Sequence, residues 1–198
     1  MSPKQQRGEA TVGRLLNAAL KVYATSGRPG FTVNAVTAAG GVSLGSLYHH
    51  FGSIDGLAAA LYTRCVEQLF DEMIAALGPA RTARGGVRAL VTAYLRFTEE
   101  HPDAALFLHA SAHSGYLAAH ADQIRGAKAD KLAVIAEWML PRVAAGEIAP
   151  LPAPVIEVLV MGPVAEAAHR WLASTYDMDL NEAARFLPDR IWRSLRPD

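Results

Sequence analysis

The sequence has little of what would place a protein in a membrane or an oxidising compartment. Its 198 residues include one cysteine, Cys65, so an internal disulfide and a thiolate metal cluster are both excluded. No apolar run reaches the roughly 20 residues that a membrane-spanning helix needs. Residues 1–14 also lack the apolar stretch of a signal peptide. We therefore expect a cytoplasmic protein.

Charge is also sparse, and it is unevenly distributed. Asp, Glu, Lys and Arg make up 19% of the residues and hydrophobic residues 51%, which is enough to fill a sizeable core. The net charge is zero, but residues 1–56 carry +3 and the remainder carries −3. A basic N-terminal segment favours a polyanionic partner, because attraction to phosphates supplies most non-specific affinity for DNA.

Helical periodicity extends over nearly the whole chain. The first predicted helix has an apolar stripe with the spacing i, i+4, i+7 and i+8, formed by Leu15, Ala19, Val22 and Tyr23. Similar stripes recur after residue 56, separated by segments that contain Gly and Pro. No alternating, β-branched run typical of a strand is present. The pattern predicts an all-α protein.

Residues 32–51 carry the most informative pattern. Thr32 can cap a short helix to Ala39 and Ser43 can cap a second one, because an N-cap hydroxyl accepts a hydrogen bond from the first turn. Between them, Gly41 suits a turn residue with positive φ. Two short helices joined by such a turn predict a helix-turn-helix, whose second helix enters the DNA major groove.

The same segment resembles the tetracycline-repressor (TetR) family of regulators. The resemblance covers about the first quarter of the chain and depends on the whole set of matching residues: Leu15 to Ala19, Gly27, Gly30 to Thr32, Gly41 to Ser43, Gly45, Leu47, Tyr48, His50, Phe51, Asp55 and Leu57. It implies a homodimer, a palindromic DNA operator and a small-molecule effector that loosens DNA binding. We accordingly expect a helix-turn-helix DNA-binding domain over residues 1–56 and a helical ligand-binding and dimerisation domain over residues 57–198.

The family's DNA contacts can be carried over to matching positions. The resemblance implies phosphate or base contacts from ten residues: Thr32, Asn34, Ser43, Leu44, Gly45, Ser46, Tyr48, His49, His50 and Ser53. The chain departs from the family at Ile54, where Lys is common, and at Val12, where a charged residue is common. Gly40 also replaces a helix-favouring Ala, at a cost of about 1 kcal/mol.

The effector site is expected in the helical domain predicted over residues 57–198. His109 and His113 have the i, i+4 spacing by which one helix face can offer two imidazoles. We predict that they line an organic ligand site together with Phe97, Phe107, Tyr116, Trp138 and His169. No metal, cofactor or catalytic residue is predicted. The alternatives are a metal-binding sensor using His109 and His113, or a helical hydrolase in which Ser111 or Ser114 pairs with His113.

An excess of apolar residues in the last two helical regions predicts dimerisation. The helix from Pro154 to Thr175 and the last helical region have more apolar positions than one buried stripe needs. A monomer would expose patches large enough to aggregate. Two such helices from each subunit, packed as a four-helix bundle, would bury them.

Overall fold

The computed structural model describes residues 3–111, 114–174 and 177–197, except for the side chains of Pro3, Lys4 and Tyr116. Within these residues there are nine α-helices, one short 3₁₀ helix and no strand, which confirms the predicted all-α class. The α-helices are α1 (Pro3–Gly30), α2 (Val33–Gly40), α3 (Leu44–Phe51), α4 (Ile54–Leu77), α5 (Ala83–Glu100), α6 (Pro102–Ser111), α7 (Ala121–Ala144), α8 (Ala153–Ala173) and α9 (Leu180–Leu195), and the 3₁₀ helix is Gly115–His120.

Several helix ends follow from single residues. Asp179 caps α9 by accepting a 2.8 Å hydrogen bond from the N–H of Asn181. Thr82 caps α5 through a 3.1 Å bond from the N–H of Gly85. Gly27 interrupts α1 with φ 60° and ψ −165°, a conformation that glycine adopts without a steric penalty. The first helix is therefore broken at Gly27, one of the residues that carry the family resemblance.

The chain divides into two compact units. The first unit comprises Met1–Val66 and Leu106–Gly126, and the second comprises Glu67–Ala105 and Ala127–Asp198. Three helices, α4, α6 and α7, therefore contribute residues to both units. The predicted functional division after residue 56 stays a prediction.

The first unit is built around α1, which packs against α2 and α3. Three aromatic rings lie together in this unit, with Tyr23 in edge-to-face contact with Phe31 (centroids 5.7 Å apart) and with Phe107 (4.7 Å). Val36 of α2 and Leu47 of α3 are fully buried. Each helix of the predicted helix-turn-helix is therefore anchored by one apolar side chain.

The second unit has its core among α5, α8 and α9, which pack against one another. The N–H of Ala149 donates to the carbonyl of Leu195 at 2.8 Å, so the segment before α8 is attached to the end of α9. On the surface, Asp189 of α9 accepts 3.0 Å hydrogen bonds from Arg84 and Arg88 of α5, and the Arg84 bond lowers the pKa of Asp189. Exposed pairs of this kind contribute little stability, so burial holds these helices together.

No helix in the described part of the chain combines the length and apolarity needed to cross a membrane.

Burial of Cys65 makes the free energy of unfolding decrease as the pH becomes alkaline. Burial raises the pKa of this thiol to about 11, opposed in part by the charge of Arg64. A thiol in the unfolded chain ionises near pH ~8.5. Between these values the unfolded chain loses the proton and the folded chain keeps it, so rising pH favours unfolding. The contribution is complete below about pH 8.5, and we expect about 3 kcal/mol to be lost by pH ~11.

Urea unfolding at several pH values from 8 to 11 measures this effect. The decline in the free energy of unfolding should be smaller in Cys65→Ala than in the wild type, because tyrosines and lysines contribute equally to both. Identical pH profiles for the two proteins would contradict the assignment.

Candidate DNA-binding surface and effector cavity

The turn between α2 and α3 has the geometry that its glycine permits. Gly41 adopts φ 57° and ψ 39°, a left-handed conformation that costs other residues about 1 kcal/mol or more. The N–H of Gly41 donates to the Ala38 carbonyl and the N–H of Val42 to the Thr37 carbonyl, at 3.3 and 3.1 Å. Thr32 caps the other end of α2 through a 3.2 Å bond from the N–H of Ala35. The predicted turn and cap are both present.

The start of α3 presents a pair of hydroxyls. Ser43 caps the helix by accepting a 3.2 Å bond from the N–H of Ser46, and the two hydroxyl oxygens lie 2.9 Å apart. Leu47 is fully buried, whereas Leu44 and Tyr48 are 51% and 49% exposed. One face of α3 therefore anchors the helix and the opposite face is open to a partner.

The beginning of α4 approaches the end of α3 very closely. Ser53 accepts a 2.9 Å hydrogen bond from the N–H of Gly56. A Cβ atom added to the buried Gly56 would lie 2.1 Å from the carbonyl oxygen of Phe51. Glycine at this position therefore lets α4 start directly behind the second helix of the pair.

Positive charge on this unit lies outside α3. No Lys or Arg occurs between Ser43 and Phe51. Arg7 and Arg14 on α1 are exposed, and the neighbouring Gly8 lies close to His50, since an added Cβ would be 3.9 Å from that imidazole. The start of α1 therefore places Arg7 near the end of α3.

The second unit contains an apolar cavity of about 390 Å³. Its lining residues come from α4, α5, α7 and α8 and the segment before α8: Phe70, Met73, Leu90, Leu132, Ile135, Ala136, Met139, Leu140, Val143, Leu151, Ala153, Pro154, Ile156, Glu157, Val160 and Met161. Glu157 is the one charged residue among them. The size and lining are those of a site for a small, mainly apolar organic molecule.

Comparison with known proteins shows which family the N-terminal segment resembles. Residues 15–61 match the family described as "Bacterial regulatory proteins, tetR family". The HTH-type transcriptional regulator BetI of Rhizobium meliloti (strain 1021) is 32% identical over 89 residues, which are 45% of this chain and 44% of BetI. Residues 15–61 thus match the TetR family of transcriptional regulators, which confirms the predicted family for this segment.

Solved structures show that the TetR-like fold extends over nearly the whole chain. A TetR family transcription regulator from Marinobacter aquaeolei VT8 aligns with a TM-score of 0.77 and 19% identity, covering 98% of this chain and 100% of that one. The regulator FadR from Bacillus subtilis, in complex with stearoyl-CoA, aligns with a TM-score of 0.74 and 16% identity over 90% of this chain and 96% of FadR. At sequence identities of 19% and 16%, the similarity shows a shared fold alone.

All ten predicted DNA-contacting residues lie in the first unit, on or beside α2 and α3. Eight of them are exposed: Thr32, Asn34, Ser43, Leu44, Gly45, Tyr48, His49 and Ser53. Ser46 and His50 are half-buried. The rings of His49 and His50 lie 5.0 Å apart, so both imidazoles occupy the end of α3. None of the ten is buried.

The seven predicted ligand residues are dispersed, and none of those with described side chains lines the cavity. Phe97 and Phe107 are buried in different units, His109 is half-buried and His169 is exposed. His113 and the side chain of Tyr116 lie outside the described residues.

Trp138 packs elsewhere. A Cβ added to Gly86 would lie 2.0 Å from the Trp138 ring, and the Arg142 guanidinium lies 3.4 Å from a ring centroid of Trp138. The next residue, Met139, lines the cavity instead. The apolar stripe of α7, Leu132, Ile135 and Met139, was the available sequence signal for this site.

Proposed function

We propose that this protein represses transcription by binding a palindromic operator as a homodimer and is released by a small organic effector. The observation that carries the DNA-binding part is the exposed face of α3, held in place by Leu47 and by the Gly41 turn. Its hydroxyls and imidazoles can hydrogen-bond to base edges and phosphates. Gly45 adds no side chain, so the backbone can approach DNA closely.

Phosphate charge would be neutralised mainly from α1. Because α3 has no Lys or Arg, long-range attraction has to come from cations such as Arg7 and Arg14, and Ile54 supplies none. Each cation paired with a phosphate contributes about 0.9 to the slope of log affinity against log salt. The charge of the first unit therefore supports affinity, and α3 supports sequence preference.

The apolar cavity of the second unit is the proposed effector site. FadR of Bacillus subtilis was solved with stearoyl-CoA, but among the residues lining the present cavity there is no Lys, Arg or His to pair with phosphate groups. We infer a more compact, uncharged effector whose apolar body fills about 390 Å³. The proposed contacts come from Met73, Ile135, Met139 and their neighbours.

The experiment is selection of bound sequences from a random DNA library, followed by a screen of metabolites for release. We expect selection to recover a palindromic site and an apolar metabolite to release the protein from it. Recovery of no preferred sequence would contradict the proposal.

Filling the cavity is expected to uncouple release from DNA binding. Met139→Trp places an indole in the cavity, so operator affinity should persist while the effector concentration needed for release rises at least about tenfold, or ~1.4 kcal/mol. Val134→Trp is the matched control, because Val134 lies on the same helix, is exposed and does not line the cavity. An equal effector response in both variants would exclude this cavity as the site.

The homodimer is proposed to form through α8 and α9. Ile156 and Ile191 of these helices are buried within the second unit, whereas Val158 is 68% and Phe186 51% exposed. Both helices thus carry exposed apolar side chains in addition to those buried in the core. We expect sedimentation to give a dimer at micromolar concentration and Val158→Glu with Phe186→Glu to give a monomer with weaker operator binding. Val134→Glu is the control, and a monomeric wild type would contradict the proposal.

The hydrolase alternative has weak support. Ser111 is fully buried, and its proposed partner His113 lies outside the described residues. The family is one of transcriptional regulators. No second function is therefore proposed.

A further inference from the structure

Three metal-ligating side chains meet in the second unit, and none of them lines the apolar cavity. They are Glu72 of α4, Glu100 at the end of α5, and His101 immediately after it. One ligand atom from each lies within 4.8 Å of the other two. We propose that Glu72, Glu100 and His101 bind one divalent first-row transition-metal ion.

The deepest part of this cluster has an unsatisfied oxygen. Glu72 Oε1 accepts from Nε2 of His101 at 3.1 Å, whereas Glu72 Oε2 is buried and accepts no hydrogen bond from any residue that the structure describes. A buried carboxylate oxygen without a partner costs free energy. A simple His–Glu ion pair leaves that cost unexplained, whereas a cation bound to the carboxylate offsets it.

The ligands are also held in place. The N–H of His101 donates to the Phe97 carbonyl at 2.8 Å, and the His101 carbonyl accepts from Ala105 at 3.0 Å. The Phe97 ring lies 5.1 Å from the imidazole. His101 is thereby fixed between the end of α5 and the start of α6, and the cluster needs only small movements to close to metal–ligand distances of about 2.0–2.2 Å.

The donor set indicates the class of ion. One imidazole nitrogen and two carboxylate oxygens suit Zn²⁺, Mn²⁺ or Co²⁺ better than Mg²⁺ or Ca²⁺, which prefer oxygen alone. Two carboxylates also neutralise a divalent charge. Arg96 lies 3.8 Å from Glu100 Oε2 and competes for that carboxylate, so Glu100 is the ligand that must turn toward the metal. With three protein ligands, water completes the coordination.

The test is titration of the chelator-treated, full-length protein with Zn²⁺ by calorimetry, and with Co²⁺ by visible absorption. We expect one ion per chain, with affinity at least tenfold weaker in Glu72→Gln and in His101→Ala. Glu99→Gln and His109→Ala are the matched controls and should bind as the wild type does. Circular dichroism without metal verifies that each variant is folded.

Two outcomes would overturn the proposal. One is the absence of saturable binding in the folded wild type. The other is a loss of binding in His109→Ala while His101→Ala binds normally, which would place the metal at the other imidazole. Neither outcome bears on operator binding, which is measured separately.

Discussion

Replacing Gly56 with alanine is expected to destabilise the first unit by about 3 kcal/mol or more. The added Cβ would lie 2.1 Å from the carbonyl oxygen of Phe51, and a backbone atom cannot move away by changing rotamer. Either α4 or α3 must shift, so operator binding should fall together with stability. Chemical unfolding and operator titration of the same preparation measure both effects.

Gly45→Ala is the matched control for this substitution. Among the described residues, no atom lies within 4 Å of a Cβ added at this exposed position of α3. Alanine is the better helix former, so stability should rise by up to about 1 kcal/mol. Operator affinity should nevertheless fall if the backbone approaches DNA here. Destabilisation by Gly45→Ala as large as that by Gly56→Ala would show that close approach of α3 and α4 is not the cause.

Phe107→Ala is expected to cost about 3–5 kcal/mol of unfolding free energy. The Phe107 ring is fully buried and meets Tyr23 edge to face, with centroids 4.7 Å apart and planes at 88°. Leu44→Ala is the control in the same unit, because Leu44 is exposed and should change stability by less than about 0.5 kcal/mol.

This substitution also distinguishes two roles for Phe107. A large loss of stability supports a structural side chain in the aromatic cluster. A fully stable Phe107→Ala protein with an altered effector response would instead support the ligand contact that the sequence predicts.

Local features of the fold were predictable from single residues. The caps at Thr32 and Ser43 and the turn at Gly41 depend on hydrogen bonds and backbone angles within a few residues. The residue types at those positions determine both. Gly40 is different. Its predicted cost to helix stability omits the close approach of α1, where an added Cβ would lie 3.3 Å from Ala18 Cβ.

The effector site could not be located from the sequence in the same way. Aromatic and imidazole residues were favoured there, yet the side chain of Trp138 covers Gly86 while its neighbour Met139 lines the cavity. Helical periodicity shows that α7 has an apolar stripe but not which other helices that stripe meets. That information depends on packing among α4, α5, α7 and α8 and comes only from the three-dimensional structure.

Operator and random-DNA affinities of Ser46→Ala, Tyr48→Phe and Arg7→Ala, measured across salt concentration, test the DNA-binding account most directly. Removing the Ser46 or Tyr48 hydroxyl should reduce the preference for operator by about 1 kcal/mol or more. Arg7→Ala should flatten the salt dependence and leave that preference nearly unchanged. If Ser46→Ala and Tyr48→Phe both keep the full preference for operator, α3 is not the helix that reads DNA.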